Sequence, residues 1–134
     1  MHRRPFIYVC SPLAAKTPEL IRANVEFAKA RCHEVMQLGG IPIASHVMLD
    51  GLLDDALPSE RFVGMYAGKR MVTICDGLMA FLPPSRQTES SGMKEEMDVA
   101  RSISIPVQLI RMQPGDVNAA QKIIDSMKYM FGRM

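Results

Sequence analysis

The chain reads as an α/β three-layer sandwich, a parallel sheet of four to five strands with helices on both faces. Three observations predict this. The apolar runs Phe6–Cys10 and Leu78–Leu82 are continuous rather than alternating, as in strands buried on both faces. Between the apolar runs lie longer stretches with helix start and stop signals. The resulting order β-α-β-α-β-α-β-α implies parallel strands joined by crossover helices.

Length and composition bound the reading. At 134 residues, one domain over 1–134 is expected. Composition is that of an ordinary soluble protein, 48% hydrophobic and 22% charged, with a formal charge of +2. That charge is too small to argue for nucleic-acid binding, and no basic run forms a phosphate track. His2-Arg3-Arg4 reads as a solvated terminus, because no apolar signal region follows it. Nothing approaches a membrane span. Cys10, Cys32 and Cys75 are isolated, without CxxC or a His at metal spacing, so no metal is expected. They read as small core residues in a reducing, cytoplasmic setting.

The elements follow in order. Phe6–Cys10 is the first strand, and Ser11-Pro12-Leu13-Ala14-Ala15 is the loop at its carboxyl end. Thr17-Pro18-Glu19 starts a helix with an N-cap, a proline at the first position and an acid in the first turn. It runs to Leu38 and stops at Gly39-Gly40. Its apolar stripe holds Leu20, Ile21, Phe27, Ala28, Val35 and Leu38. Asn24 and Arg31 fall within that arc. Arg31 reads as a buried hydrogen-bonding residue, while Asn24 lies nearer the ligand end of the helix.

Ile41–Ala44 is a short second strand with Ser45-His46 at its end. His46 is either a loop histidine held by a backbone group or a site residue. Val47–Leu57 reads as a loop with a short helix, in which Asp50, Asp54 and Asp55 match no metal-loop spacing. Pro58-Ser59-Glu60-Arg61 opens a helix expected to carry Phe62, Val63, Tyr66, Ala67 and Ile74 inward. Cys75-Asp76-Gly77 leads into the strand Leu78–Leu82. A loop from Pro83 to Glu89, a helix from Gly92 and a strand Ile105–Ile110 follow. Asp116 caps a last helix, Val117 to about Phe131, whose Met127, Met130 and Met134 are either core or interface.

The helix from Gly92 holds the most informative residue. At 100° per residue, Met93, Met97, Val99, Ala100 and Ile103 share an apolar arc, and Glu96 falls inside it. A carboxylate aimed at a core is costly unless something uses it. A capping box does not explain it, because Met93 stands three residues before Glu96. A structural Glu paired with an Arg is the competing reading. Gly92 and Ala100 flank Glu96 along one stripe, leaving room for a ligand.

Parallel sheets bind ligands beyond the carboxyl ends of their strands. Ser11-Pro12, Ser45-His46, the loop Pro83–Ser91 and the helix start at Gly92 converge there. Asp76, just before its strand, counts to the opposite end. To reach the site, its strand would have to begin near Val72.

These residues resemble a family. Ile7-Tyr8-Val9-Cys10-Ser11-Pro12 looks like the "Y-L-A-G-P" opening of nucleoside 2-deoxyribosyltransferases, and Cys75-Asp76 with the following strand resembles their "A-D" strand. Ser90-x-Gly92-x-x-x-Glu96-x-x-x-Ala100 is similar to their nucleophile helix. The resemblance spans about Phe6 to Ile110 and is nearest to small phage and bacterial members, related to the nucleotide N-hydrolases. Asp98 and Ser11 depart from the pattern, replacing a small residue and a glycine.

The resemblance implies a flavodoxin- or Rossmann-like fold and cleavage of an N-glycosidic bond, with no cofactor. Glu96 would attack the anomeric carbon and form a glycosyl ester, resolved by water or by a second base. Asp76 would protonate the departing base or read its edge, and Tyr8 would position the carboxylate. Ser90 stands where the transferases carry an Asp and the nucleotide N-hydrolases a Ser, which favours a 5′-monophosphate over a free nucleoside. Ser90, Ser91 and the helix N–H groups form an anion site, although N-capping explains the serines equally well. The implied substrate-binding set is Ser11, Pro12, Asn24, His46, Ser90, Ser91 and Gly92. A small-molecule nucleotide or nucleoside is the implied partner, and a homo-oligomer the implied assembly. A non-catalytic nucleotide-binding module is the alternative, and a structural oligomer the third reading.

Overall fold

The computed structural model describes residues 4–54, 56–116 and 119–132. The expectations placed on His2, Arg3, Asp55, Val117 and Met134 lie outside these residues. Nine elements follow one another: β1 (Phe6–Cys10), α1 (Pro18–Gln37), β2 (Ile41–Ile43), α2 (Ser45–Met48), α3 (Pro58–Thr73), β3 (Gly77–Leu82), α4 (Ser91–Ser102), β4 (Val107–Arg111) and α5 (Ala119–Phe131).

The four strands are parallel, in the order β2-β1-β3-β4. Register places Phe6 beside Ile41, Ile7 beside Gly77 and Leu78 beside Val107. The chain grows to one side of β1, returns, and grows to the other. The crevice between the carboxyl ends of β1 and β3 is therefore the switch point where such sheets hold ligands.

The pleat sorts the strand residues into two cores. Ile7, Val9, Met79 and Phe81 face one side, where they pack with Val35 of α1 and Ile123 and Met127 of α5. Tyr8, Cys10, Leu78, Ala80 and Leu82 face the other, against Val72 of α3 and Met93, Met97 and Ala100 of α4. Helices thus cover both faces, and the three-layer α/β sandwich stands as expected.

Several expectations need correction. The second strand ends at Ile43, and Ser45-His46 form the first turn of α2 rather than a strand end. The helix expected from Gly92 begins at Ser91. Leu20 and Ile103 are exposed, each lying beyond the part of its helix that meets the sheet. Met127 is core, and Met130 packs against that core beside Phe131.

The largest correction concerns α3. Phe62, Val63, Tyr66 and Ile74 point to solvent at 70%, 52%, 59% and 65% exposure. The inward face is built instead from Gly68 and Val72. The reason is steric. A side-chain carbon at Gly68 would stand 2.3 Å from Glu96 Oε2 and 3.3 Å from the Tyr8 hydroxyl. Only a face of small residues lets α3 approach α4 that closely, so the large side chains turn outward.

Candidate functional site

Glu96 enters the site from the second turn of a helix that starts on a serine cap. Ser90 is the N-cap of α4, and its Oγ accepts from Met93 N at 3.2 Å. The amphipathic pattern of α4 then turns Met93, Met97 and Ala100 into the sheet, and Glu96 turns with them. Glu96 is 7% exposed. Its carboxylate is held by two groups from β1, on the same face of the strand. The Tyr8 hydroxyl donates to Oε2 at 2.6 Å, and the Cys10 thiol lies 3.5 Å from Oε1.

Ser45, the first residue of α2, extends this arrangement. Its Oγ lies 2.8 Å from the Tyr8 hydroxyl. Tyr8 has committed its only proton to Glu96, so the serine hydroxyl donates to the tyrosine oxygen. Among the described residues no arginine or lysine pairs with Glu96, and the reading of a structural Glu–Arg pair fails.

Electrostatics follow from burial. Desolvation raises Glu96 from the ordinary carboxylate range to about 7, against the opposing hydrogen bonds from Tyr8 and Cys10. Nearby Glu95 adds to the rise and Lys69 reduces it. Burial and the Glu96 charge push both Tyr8 and Cys10 well above their usual ranges. Both stay protonated as donors at neutral pH.

A cavity of about 460 Å³ opens in front of this carboxylate, within the size range of small-molecule sites. Its walls come from the loop after β1 (Leu13, Ala14), from α1 (Ile21, Arg22, Val25), from α2 (Ser45, His46) and from α3 (Arg61, Gly64, Met65, Lys69). The start of α4 supplies Ser90, Ser91, Gly92, Met93, Glu95 and Glu96. Nothing stands within 4 Å of a side-chain carbon built on Gly92, so the stripe beside Glu96 opens to the cavity.

Of the residues expected at the site, the structure brings together Glu96, Tyr8, His46, Ser90, Ser91 and Gly92. His46 Nε2 donates to the Ser11 carbonyl at 2.9 Å, which ties α2 to the end of β1. Ser11 and Pro12 are buried beneath the cavity rather than on its wall. Among the described residues, Ser11 Oγ has no hydrogen-bond partner. Asn24 also acts behind the wall, its amide donating to the Leu13 carbonyl at 2.9 Å and holding the loop. Arg31 is half-buried, paired with Glu34 and stacked 4.6 Å over the Phe27 ring.

Asp76 is the clear correction. It stands at the amino end of β3, where its Oδ2 accepts from Phe6 N at 2.8 Å and its own N–H donates to Phe6 O at 2.8 Å. β3 begins at Gly77, not near Val72, so the carboxylate stays at the far edge of the sheet from Glu96. It stitches β1 to β3 and does not reach the cavity.

Cys10, Gly68, Lys69, Arg22 and Arg61 are the site residues that sequence reasoning missed; it places Ser45 at the site, but not as a partner of Tyr8. Gly64 and Gly68, one turn apart within a helix, were the available signal, since mid-helix glycines cost stability unless something approaches closely. Lys69 pairs with Glu95 at 3.2 Å, and Arg22 pairs with Asp50 at 2.8 Å. Arg61 has no side-chain partner among the described residues. In the same set, no three His, Cys, Asp or Glu side chains cluster to hold a metal, and no helix is long and apolar enough to cross a membrane.

Fold and site together define an α/β protein with a buried carboxylate at the wall of a small-molecule-sized cavity. The chain belongs to the family described as a domain of unknown function, DUF7768, whose model matches residues 5–110. Comparison with curated proteins finds no match. Among solved structures, the chain is similar to a 2-deoxyribosyltransferase from the psychrotolerant bacterium Bacillus psychrosaccharolyticus, with a TM-score of 0.59 at 16% identity. The alignment covers 90% of this chain and 81% of that one. At that identity the likeness establishes a shared fold.

Proposed function

We propose that this protein cleaves the N-glycosidic bond of a (deoxy)nucleoside, with Glu96 as the nucleophile. The observation that carries the reading is a buried carboxylate, gripped by Tyr8 and Cys10, facing a cavity and, among the described residues, paired with no arginine or lysine. A carboxylate so placed attacks an anomeric carbon, and the bond to the base breaks as the bond to Oε forms. Water or a second base then displaces the ester. The activity in the name of the structurally similar transferase is of this class.

The leaving base needs a proton, and Asp76 is out of reach. Three other acids line the cavity. Asp50 is held by Arg22 and pulled below the usual carboxylate range, and Glu95 is paired with Lys69. Asp54 has no cation partner among the described residues, so the role falls to it. A 5′-monophosphate is the favoured substrate form. Arg61 and Lys69 lie on the wall, and the first N–H groups of α4 lack partners within the helix.

The test is a panel of deoxynucleosides and their monophosphates, with free base followed by chromatography. Base release by the wild type, lost in Glu96→Ala, is expected. No base from any member, with or without a second base as acceptor, would sink the proposal. The distance of Asp76 from the site favours a second reading, a nucleotide-binding module without turnover. Tight calorimetric binding that Glu96→Gln leaves unchanged, with no product, would select it.

A further inference from the structure

We propose that Ser45 is a positioning residue for Glu96 that acts through Tyr8: its hydroxyl donates to the tyrosine oxygen and so commits the tyrosine proton to Oε2. The three oxygens form one chain. Ser45 Oγ lies 2.8 Å from the Tyr8 hydroxyl, which lies 2.6 Å from Glu96 Oε2. The residues come from three elements, α2, β1 and α4, and all are buried, at 4%, 1% and 7% exposure. Ser45 also lines the cavity, so the chain starts at its wall.

The proton count sets the direction of the chain. An ionised carboxylate only accepts, so Tyr8 gives Oε2 its one proton and its own oxygen is left as a buried acceptor. Among the described residues, Ser45 alone supplies that oxygen with a donor. Donation into the tyrosine oxygen makes its proton a better donor, and bonds to a charged group are about twice as strong as neutral ones. Ser45 therefore supports the ionised carboxylate more than the neutral acid. Helix capping does not account for the hydroxyl, because Ala44 is the N-cap of α2 and no side chain bonds the cap. The bare face of α3 admits the serine as well, since a side-chain carbon at Gly68 would stand 3.1 Å from its Oγ. The other charged or titratable groups around Glu96 are Cys10 on β1, Glu95 on α4, Lys69 and Arg61 on α3 and His46 on α2. Replacing Ser45 by alanine alters none of these charges.

The carboxyl infrared band of Glu96, titrated without substrate and identified by its absence in Glu96→Gln, tests the chain. Wild type should titrate at about 7. Ser45→Ala should titrate higher by at least roughly 0.3 pH unit, the cooperative share of one charge-assisted bond, and by no more than Tyr8→Phe. Ser45→Cys, close in size and a weaker donor, should shift the band the same way by less. In a Tyr8→Phe background, Ser45→Ala should leave the band where it stands, because the link is gone. Alanine is the better helix former, so the far-ultraviolet circular dichroism spectrum should not change. A band unmoved by either single variant would overturn the proposal. So would an equal shift with and without the tyrosine hydroxyl, since that is what a merely structural serine gives. The catalytic meaning of the chain rests on Glu96 being the nucleophile proposed above. The infrared readout needs no turnover, so absence of base release and absence of the shift are separate failures.

Discussion

At Glu96 a charge is held where water scarcely reaches; two side chains hydrogen-bond to it directly, and Lys69 helps from a distance. The Tyr8 hydroxyl and the Cys10 thiol each serve one carboxylate oxygen, and both oppose the rise caused by burial. Removing either should push the carboxyl above about 7. Hydrogen bonds to charged groups contribute about 1.5–3 kcal/mol, so Tyr8→Phe should raise it by roughly one to two pH units. Cys10→Ala should act in the same direction but less, since a thiol is a weak donor. A nucleophile must be ionised, so the acid limb of base release should move upward in both variants. A pH profile of kcat/KM, or the carboxyl infrared band without substrate, measures the shift. Unmoved profiles would mean that β1 does not tune the carboxylate. Asp54→Asn should lower the turnover of poor leaving bases by about 10²-fold or more, the usual contribution of a general acid. Bases that leave readily should be spared.

Among the elements, α3 sets the geometry, because its glycine face decides how near a second helix can come. A methyl group at Gly68 would overlap Glu96 Oε2, so one of the two must move. Gly68→Ala should destabilise the protein by about 1–3 kcal/mol, the range for overpacking, and reduce base release more than tenfold. Urea unfolding and the base-release assay measure the two effects. Gly92→Ala is the contrasting case. Its added carbon meets open space, so stability should hold while ligand affinity falls. If both substitutions proved equally mild, the close approach of α3 to α4 would be refuted.

Across the whole molecule, the buried carboxylate makes stability depend on pH. The folded state holds the Glu96 proton up to about 7, and the unfolded reference is 4.5. Between those values the folded state binds more protons, so stability falls as pH rises. The contribution is full below about pH 4.5 and gone above about pH 7, amounting to about 3 kcal/mol. Glu96→Gln removes the ionisation. Relative to wild type it should be more stable at pH 8 by up to that amount, with the gap closing near pH 5. Denaturant melts at the two pH values check this, and an equal difference at both would refute it.

What the sequence by itself determined was periodic. Continuous apolar runs with turn signals specified strands buried on both faces, and their alternation with helices specified the parallel three-layer sandwich. The same periodicity turned Glu96 inward on α4, because a helix that buries Met93, Met97 and Ala100 has no choice about the residue between them. Periodicity failed at α3, where the apolar arc was the outer one. A one-dimensional pattern records which residues are greasy, not which neighbour leaves space for them, and the carboxylate of Glu96 leaves space only for Gly68. Asp76 shows the other limit. Its place beside a strand was legible, but which end of the sheet it occupies depended on where β3 starts. The grip of Tyr8 and Cys10 on one carboxylate, with Ser45 bonded to the Tyr8 hydroxyl behind it, joins residues as many as 88 positions apart, and only the register of β1 against α2 and α4 brings them together.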